Sequence, residues 1–164
     1  MQAALGEVSN ILWRERQLLE LLVFKLEEEQ LVLAAGRSRW LPHATREVET
    51  VLAQLKKLEL ERAIHVEALA RALGHVGSPS LRELATLAPA PWDNIFGEHR
   101  RALMELASEI DGVAKANRDL LSRGHQATRE ALAALGEVEL DSYTPTGAMN
   151  GERTLGHRLI DEAM

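Results

Sequence analysis

The 164-residue chain contains no cysteine, which rules out disulfides and thiolate metal sites and suits a reducing compartment. Aromatic side chains are almost as scarce: Trp13, Phe24, Trp40, Trp92, Phe96 and Tyr143 are the full set. The apolar content is mostly Leu and Ala, both strong helix formers, so the core must come from helices packed along their length. No apolar run approaches the roughly 20 residues of a membrane-spanning helix. The richest stretch, Leu18 to Leu26, is interrupted by Glu20 and Lys25. The N-terminus lacks the basic start of a signal peptide. A cytoplasmic protein with no membrane insertion is expected.

The net charge of −6 is unevenly placed. Residues 1–74 hold ten basic and eleven acidic side chains, and residues 75–136 hold seven and eight. Residues 137–164 hold two and six, so this last segment supplies −4 of the −6. A body this close to neutral, with mixed signs along each helix, lacks the clustered Lys and Arg of a nucleic-acid surface.

Catalytic constellations are missing too. His43, His65, His75, His99, His125 and His157 form no His-Glu-x-x-His motif, and no phosphate loop, Gly-x-Gly-x-x-Gly or Gly-x-Ser-x-Gly pattern occurs. Glu61 and His65 stand one turn apart, a spacing that reads as a surface salt bridge. Glu27-Glu28-Glu29 reads as a solvated run. No enzyme activity, metal or cofactor is expected.

Periodicity is what the chain does have. Leu5, Val8, Leu12, Glu15, Leu19, Leu22, Leu26, Glu29 and Leu33 recur in steps of three and four, as on one helix face. This first helix should span about residues 4–35 and stop at Gly36, a good left-handed cap. A second stripe runs Val48, Leu52, Leu55, Glu59, Arg62, Val66, Leu69 and Leu73. Its helix starts somewhere between Ser38 and Pro42 and ends at Gly74 and Gly77. Glu59 and Arg62 form either a buried pair that fixes register or an Arg whose stem snorkels to water. Ser80 with Glu83 is a capping box opening a short connector helix, closed by Pro89 and Pro91.

A third long helix starts near Pro91 and runs to about Leu135, with Trp92, Phe96, Leu103, Leu106, Ile110, Val113, Leu120, Ala127 and Ala131 on its stripe. Asn117, between Val113 and Leu120, is either a register device or an edge residue. Gly112 and Gly124 mark places to bend or fray. At about 1.5 Å per residue this helix measures roughly 65 Å, against roughly 50 Å for each of the first two. Its last third, with Leu120, Leu121, Leu132 and Leu135, is expected to overhang. The fold expected is all-α: an antiparallel bundle of three long helices with a short connecting helix. The division is a helical domain at 1–136 and a flexible acidic tail at 137–164, in which Leu155, Leu159 and Ile160 could form a short amphipathic segment.

The order of these pieces resembles the FlgN family of flagellar export chaperones. The resemblance rests on Leu22-Val23-Phe24-Lys25-Leu26-Glu27-Glu28-Glu29-Gln30, then Leu33-Ala34-Ala35-Gly36, then Leu58-Glu59-Leu60-Glu61-Arg62. It continues through Ala116-Asn117-Arg118-Asp119-Leu120-Leu121 and ends with Tyr143 and Gly147, covering about residues 11–147. It implies a cytoplasmic chaperone that holds the disordered helical ends of the hook–filament junction proteins FlgK and FlgL and delivers them to the export gate protein FlhA. Carried over, client binding falls on Leu120, Leu121, Ala131, Leu132 and Leu135, and gate docking on Tyr143. A monomer or weak dimer is expected; the alternative is a structural coiled-coil adaptor that forms a constitutive dimer.

Overall fold

The computed structural model describes the backbone of residues 1–141 and the side chains of residues 1–136. Among these residues the chain is all-helical, with four helices: α1 (Gln2–Ala34), α2 (Leu41–Ala72), α3 (Leu81–Leu87) and α4 (Trp92–Asp141). A 3-10 turn at Ser38–Trp40 precedes α2. The chain divides into two compact units, Met1–Gln126 and Ala127–Met164. Tyr143, the turn residues after it and the segment around Leu155 to Ile160 lie outside the described residues.

Both long N-terminal helices stop by the same device. Gly36 takes φ +62°, a left-handed conformation that a Cβ would strain. Its N–H donates to Leu33 O at 3.1 Å, and the Arg37 N–H donates to Val32 O at 3.1 Å, a Schellman closure. Gly74, at φ +79°, repeats it on α2 with bonds to Arg71 O and from His75 N–H to Ala70 O. At the start of α2 the 3-10 turn occupies Ser38–Trp40, and Pro42 falls in the first helical turn. There its missing N–H removes no intrahelical bond.

The connector forms as its capping box requires. Glu83 N–H donates to Ser80 Oγ at 3.3 Å, and Ser80 N–H donates to Glu83 Oε2 at 2.8 Å. That backbone bond, with one from the Ser80 hydroxyl, holds the Glu83 carboxyl below its usual range. α4 begins one residue later than Pro91, whose carbonyl accepts the first helical bond, from Ile95 N–H at 3.3 Å. It runs through Gly112, Gly124 and Gly136 to Asp141, beyond the end expected near Leu135. A glycine costs a helix about 1 kcal/mol but does not stop it where helix formers continue on both sides.

Side-chain pairs give the helix directions within the first unit. Arg14–Glu61, Arg62–Glu15, Lys25–Glu47 and Thr45–Glu29 run in opposite order along the two helices, so α1 and α2 are antiparallel. Ser9–His99, Trp92–Gln2 and Asn117–Leu26 keep separations of 90, 90 and 91 residues, so α4 runs parallel to α1. Two apolar clusters follow. One joins Leu5, Val8 and Leu12 to Val66, Leu69, Leu84 and Phe96; the other joins Leu22 and Leu26 to Val48, Val51 and Leu55, with Ile110, Val113 and Ala114 against it.

The stripe of α2 differs from the sequence expectation at two positions. Leu52 is exposed and Val51 buried; Glu59 is exposed and Leu58 buried. At 100° per residue, Val51 lies about 40° from Leu55 and Leu52 about 60° on the other side, so Val51 is nearer the seam. Positions 58 and 59 straddle that seam, and the leucine enters because a carboxylate would lose its hydration there.

Candidate partner-binding surface

Three polar cross-links hold the helices that carry the exposed face. Glu15 falls on the apolar stripe of α1 and is 5% exposed; its Oε2 accepts from Arg62 Nη1 at 3.0 Å. Burial pushes the Glu15 carboxyl above its usual range, Arg62 pulls it down and Glu59 adds to the rise. Arg62, itself half-buried, therefore pairs across to α1 and not with Glu59. Glu61 likewise bonds Arg14 at 3.0 Å, where the sequence spacing had pointed to His65.

A second link joins α1 to α4. Ser9 Oγ and His99 Nε2 lie 3.1 Å apart, and Trp13 meets the His99 ring edge-on with centroids 5.3 Å apart. The Arg16 guanidinium lies over the Trp13 ring, 4.3 Å from its centroid. Burial lowers the His99 pKa, and Arg16 lowers it further, so the ring is neutral at pH 7. Its Nδ1 is buried without a partner, so a proton added there would find no acceptor. The sequence carried a signal for this residue: His99 fills the seven-residue gap between Phe96 and Leu103 on the α4 stripe.

The third link is the amide of Asn117, 5% exposed. Its Nδ2 donates to Leu26 O at 2.8 Å and to Glu29 Oε2 at 3.1 Å; Thr45 Oγ1 donates to Glu29 Oε1 at 2.8 Å. One carboxylate thus ties α1, α2 and α4 together, which makes Asn117 a register device. It also corrects the solvated reading of Glu27-Glu28-Glu29. Only Glu27 is exposed; Glu28 bonds Lys25, and Glu29 sits on the buried stripe.

Beside this clasp lies an open cleft of about 270 Å³ in the first unit. Leu33, Leu41, Ala114 and Leu121 form its apolar walls, Asn117, Glu29 and Thr45 its polar side, and Arg118 lines it as well. Sequence reasoning had no means to see it, because its walls come from three helices distant in the chain.

The residues singled out from the sequence fall as follows. Leu120 is half-buried and Leu121 is 53% exposed in the first unit. In the second unit Leu132 and Leu135 are 63% and 64% exposed, and Ala131 is exposed beside them. Ala131 and Leu135 stand four apart and Leu132 and Leu135 three apart, so on one helix they are neighbours. Every residue from Leu121 to Gly136 is exposed. Tyr143 lies outside the described residues. No helix among the described residues is long and apolar enough to cross a membrane, and no three His, Asp or Glu side chains there gather as a metal site needs.

A helical bundle cross-linked by buried polar groups, with leucines of its longest helix presented to solvent, offers an apolar face of the kind that takes another helix. The particular family follows from comparison: the FlgN protein family model matches residues 1–151, and the chain belongs to the FlgN family. Membership implies a flagellar export chaperone role, in a chaperone family and not an enzyme family. Neither a curated relative nor a solved structure matches the chain.

Proposed function

We propose that this protein is a cytoplasmic, non-enzymatic chaperone that binds the disordered helical ends of the junction proteins FlgK and FlgL and delivers them to the export gate protein FlhA. Membership of the FlgN family supports the class of partner, and the exposed leucines of α4 carry the assignment of the surface. An amphipathic client segment lays its apolar face along Ala131, Leu132 and Leu135 of the second unit in helix-in-groove fashion, and Leu121 of the first unit offers a contact of its own. Leu120 contributes from its half-buried position, and Tyr143 docks the gate. Three long helices and a short connector at residues 1–136 form the holding domain, and the acidic residues 137–164 form the tail that meets the gate. The free chain is a monomer or weak dimer.

Titration calorimetry of the full chain with the disordered helical end segments of FlgK and FlgL tests this. Leu132→Ala with Leu135→Ala should weaken binding by about tenfold or more, since each exposed leucine can lose about 1–2 kcal/mol of burial. Helicity should stay unchanged. Undiminished affinity would remove this surface from the proposal. A tight dimer in light scattering, with no affinity for either client, would favour the constitutive coiled-coil adaptor.

A further inference from the structure

We infer that the exposed seam where α1 lies along α4, on the side away from α2, docks a basic amphipathic helix of a partner protein. The seam begins with a second stripe on α1. Trp13, Glu20, Phe24, Glu27 and Leu31 recur in steps of seven, four, three and four, as on one helix face. Packing leaves this stripe outside: Trp13 is 50%, Phe24 53% and Leu31 71% exposed. Two of the chain's six aromatic rings thus stand in solvent, about three turns apart on one helix.

Contacts within the first unit set this stripe beside α4. Trp13 meets the His99 ring, and the offset of 90–91 residues puts Glu20 level with Ile110 and Phe24 level with Ala114. Phe96 and Leu103 turn from the His99 direction toward the cluster shared with α2. At about 100° per residue, Glu98, Glu105 and Glu109 turn the opposite way, to the outer side where the stripe lies. Leu106, Val113 and Leu120 fall between the two directions; each is half-buried, and together they form the floor of the seam.

Charge decides the occupant. Within about 60° of Trp13 on α1 and of Glu109 on α4, the first unit presents Glu20, Glu27, Glu98, Glu105 and Glu109. All five carboxylates are exposed, and none joins an ion pair among the described residues. The cations in the same window are Arg16, stacked on Trp13, and Arg123 at the far end, five negative against two positive for a balance of −3. Glu28 reaches the edge, where Lys25 neutralises it. Arg101 and Asp119, farther out on α4, offset each other. Residues 1–136 hold 17 basic and 19 acidic side chains, −2 in all, so everything outside the seam comes to +1.

A nucleic acid or an anionic lipid surface is repelled from such a seam. Segment 137–164, with two basic and six acidic side chains, is repelled as well, and a second copy docked seam to seam sets carboxylates against carboxylates. The rings favour cations too. The Arg16 guanidinium lies 4.3 Å from the Trp13 centroid and Lys25 Nζ lies 5.2 Å from that of Phe24, so each exposed ring already holds one. From Trp13 to Leu31 the seam is about 27 Å long, which suits a partner helix of about five turns.

Two labelled synthetic peptides of about five turns, with the same leucines and either Lys or Glu at the polar positions, test the surface. Fluorescence anisotropy with the full chain should show saturable binding of the Lys peptide that weakens as salt is added. A total charge of −6 would attract that peptide anywhere, so matched charge reversals separate the seam from the bulk. Glu20→Lys with Glu109→Lys should weaken binding about tenfold at low ionic strength. Glu7→Lys with Glu49→Lys, the same change at exposed sites elsewhere, should weaken it about twofold or less. Phe24→Ala should weaken it about fivefold with an unchanged circular dichroism spectrum. Leu132→Ala with Leu135→Ala should leave it unchanged, so this surface and the client surface fail independently. Equal losses from the two reversals, a preference for the Glu peptide, indifference to Phe24→Ala, or a loss with the Leu132 and Leu135 pair overturns the inference. A dimer in light scattering that Phe24→Ala dissociates also overturns it, by making a second copy the occupant.

Discussion

At the end of the first unit where α1 begins and α2 finishes, Leu5, Leu12, Leu69, Leu84 and Phe96 are wholly buried. At the end where α1 turns into α2, Leu26, Val48 and Leu55 each keep 6–8% of their surface, and an open cleft lies beside them. The first end has four helices around it, an aromatic ring at its centre and buried titratable groups close by. The second has only aliphatic side chains, an amide–carboxylate clasp between Asn117 and the half-buried Glu29, and the Lys25 ion pairs. The wholly buried apolar side chains and the buried Glu15 and His99 sit together at one end, although clefts open beside its connector helix as they do at the other end.

The largest test of this contrast is truncation in the two clusters. Phe96→Ala should destabilise the protein by about 3–5 kcal/mol and Leu55→Ala by about 2–3 kcal/mol, read from urea midpoints at constant slope. Equal losses would break the comparison. Next comes the removal of one partner from an ion pair at each end. Arg62→Met leaves the Glu15 carboxylate buried and unpaired, for a loss of about 1–3 kcal/mol at pH 7. Lys25→Met should give a loss too small to resolve, since the groups it releases, Glu28 and Glu47, remain in water.

The smallest test is pH dependence, and its sign differs between the two buried groups. Glu15 has its folded pKa raised, so its stabilising contribution is complete below about 4.5 and is lost as pH rises through the folded value. His99 has its folded pKa lowered, so its contribution is complete above about 6.5 and is lost as pH falls through the folded value. The two slopes oppose each other on the acid side of neutrality. Relative to the parent, Glu15→Gln should lose more stability between pH 7 and pH 5, and His99→Gln should lose less. The Arg62→Met deficit should shrink over the same interval as Glu15 takes up a proton. Parallel curves for all of these variants would show that the buried end is no more charge-sensitive than the other.

The features that could be read from the sequence are those fixed by neighbours in the chain. Gly36 and Gly74 announced the helix ends because only a left-handed residue completes the Schellman turn. Ser80 and Glu83 announced α3 because both halves of the capping box lie within one turn. The stripe of α1 was readable because its apolar residues leave one choice at each step. On α2 the choice was double at 51 and 52, and only packing against neighbours decides between residues 100° apart. The cleft was hidden for a related reason: Leu33, Leu41, Ala114 and Leu121 gain meaning together only once three helices are side by side. Of the proposed contact residues, Leu121, Leu132 and Leu135 were visible as apolar residues toward the end of a long helix. Glu29 and His99 were undervalued because charge and polarity were taken as signs of solvent.

The parallel course of α1 and α4 fixes an order of events during synthesis. α1 meets α2 across short sequence separations, whereas its partners on α4 stand about 90 residues downstream. At roughly 5–20 residues per second, the ribosome needs about 5–20 s to deliver them. For the last part of that interval, once α2 has been made, the nascent α1–α2 hairpin shows to its surroundings the apolar edge that Phe96, Ile110 and Val113 will later cover. A member of a chaperone family thus begins its own life with a helix face unshielded.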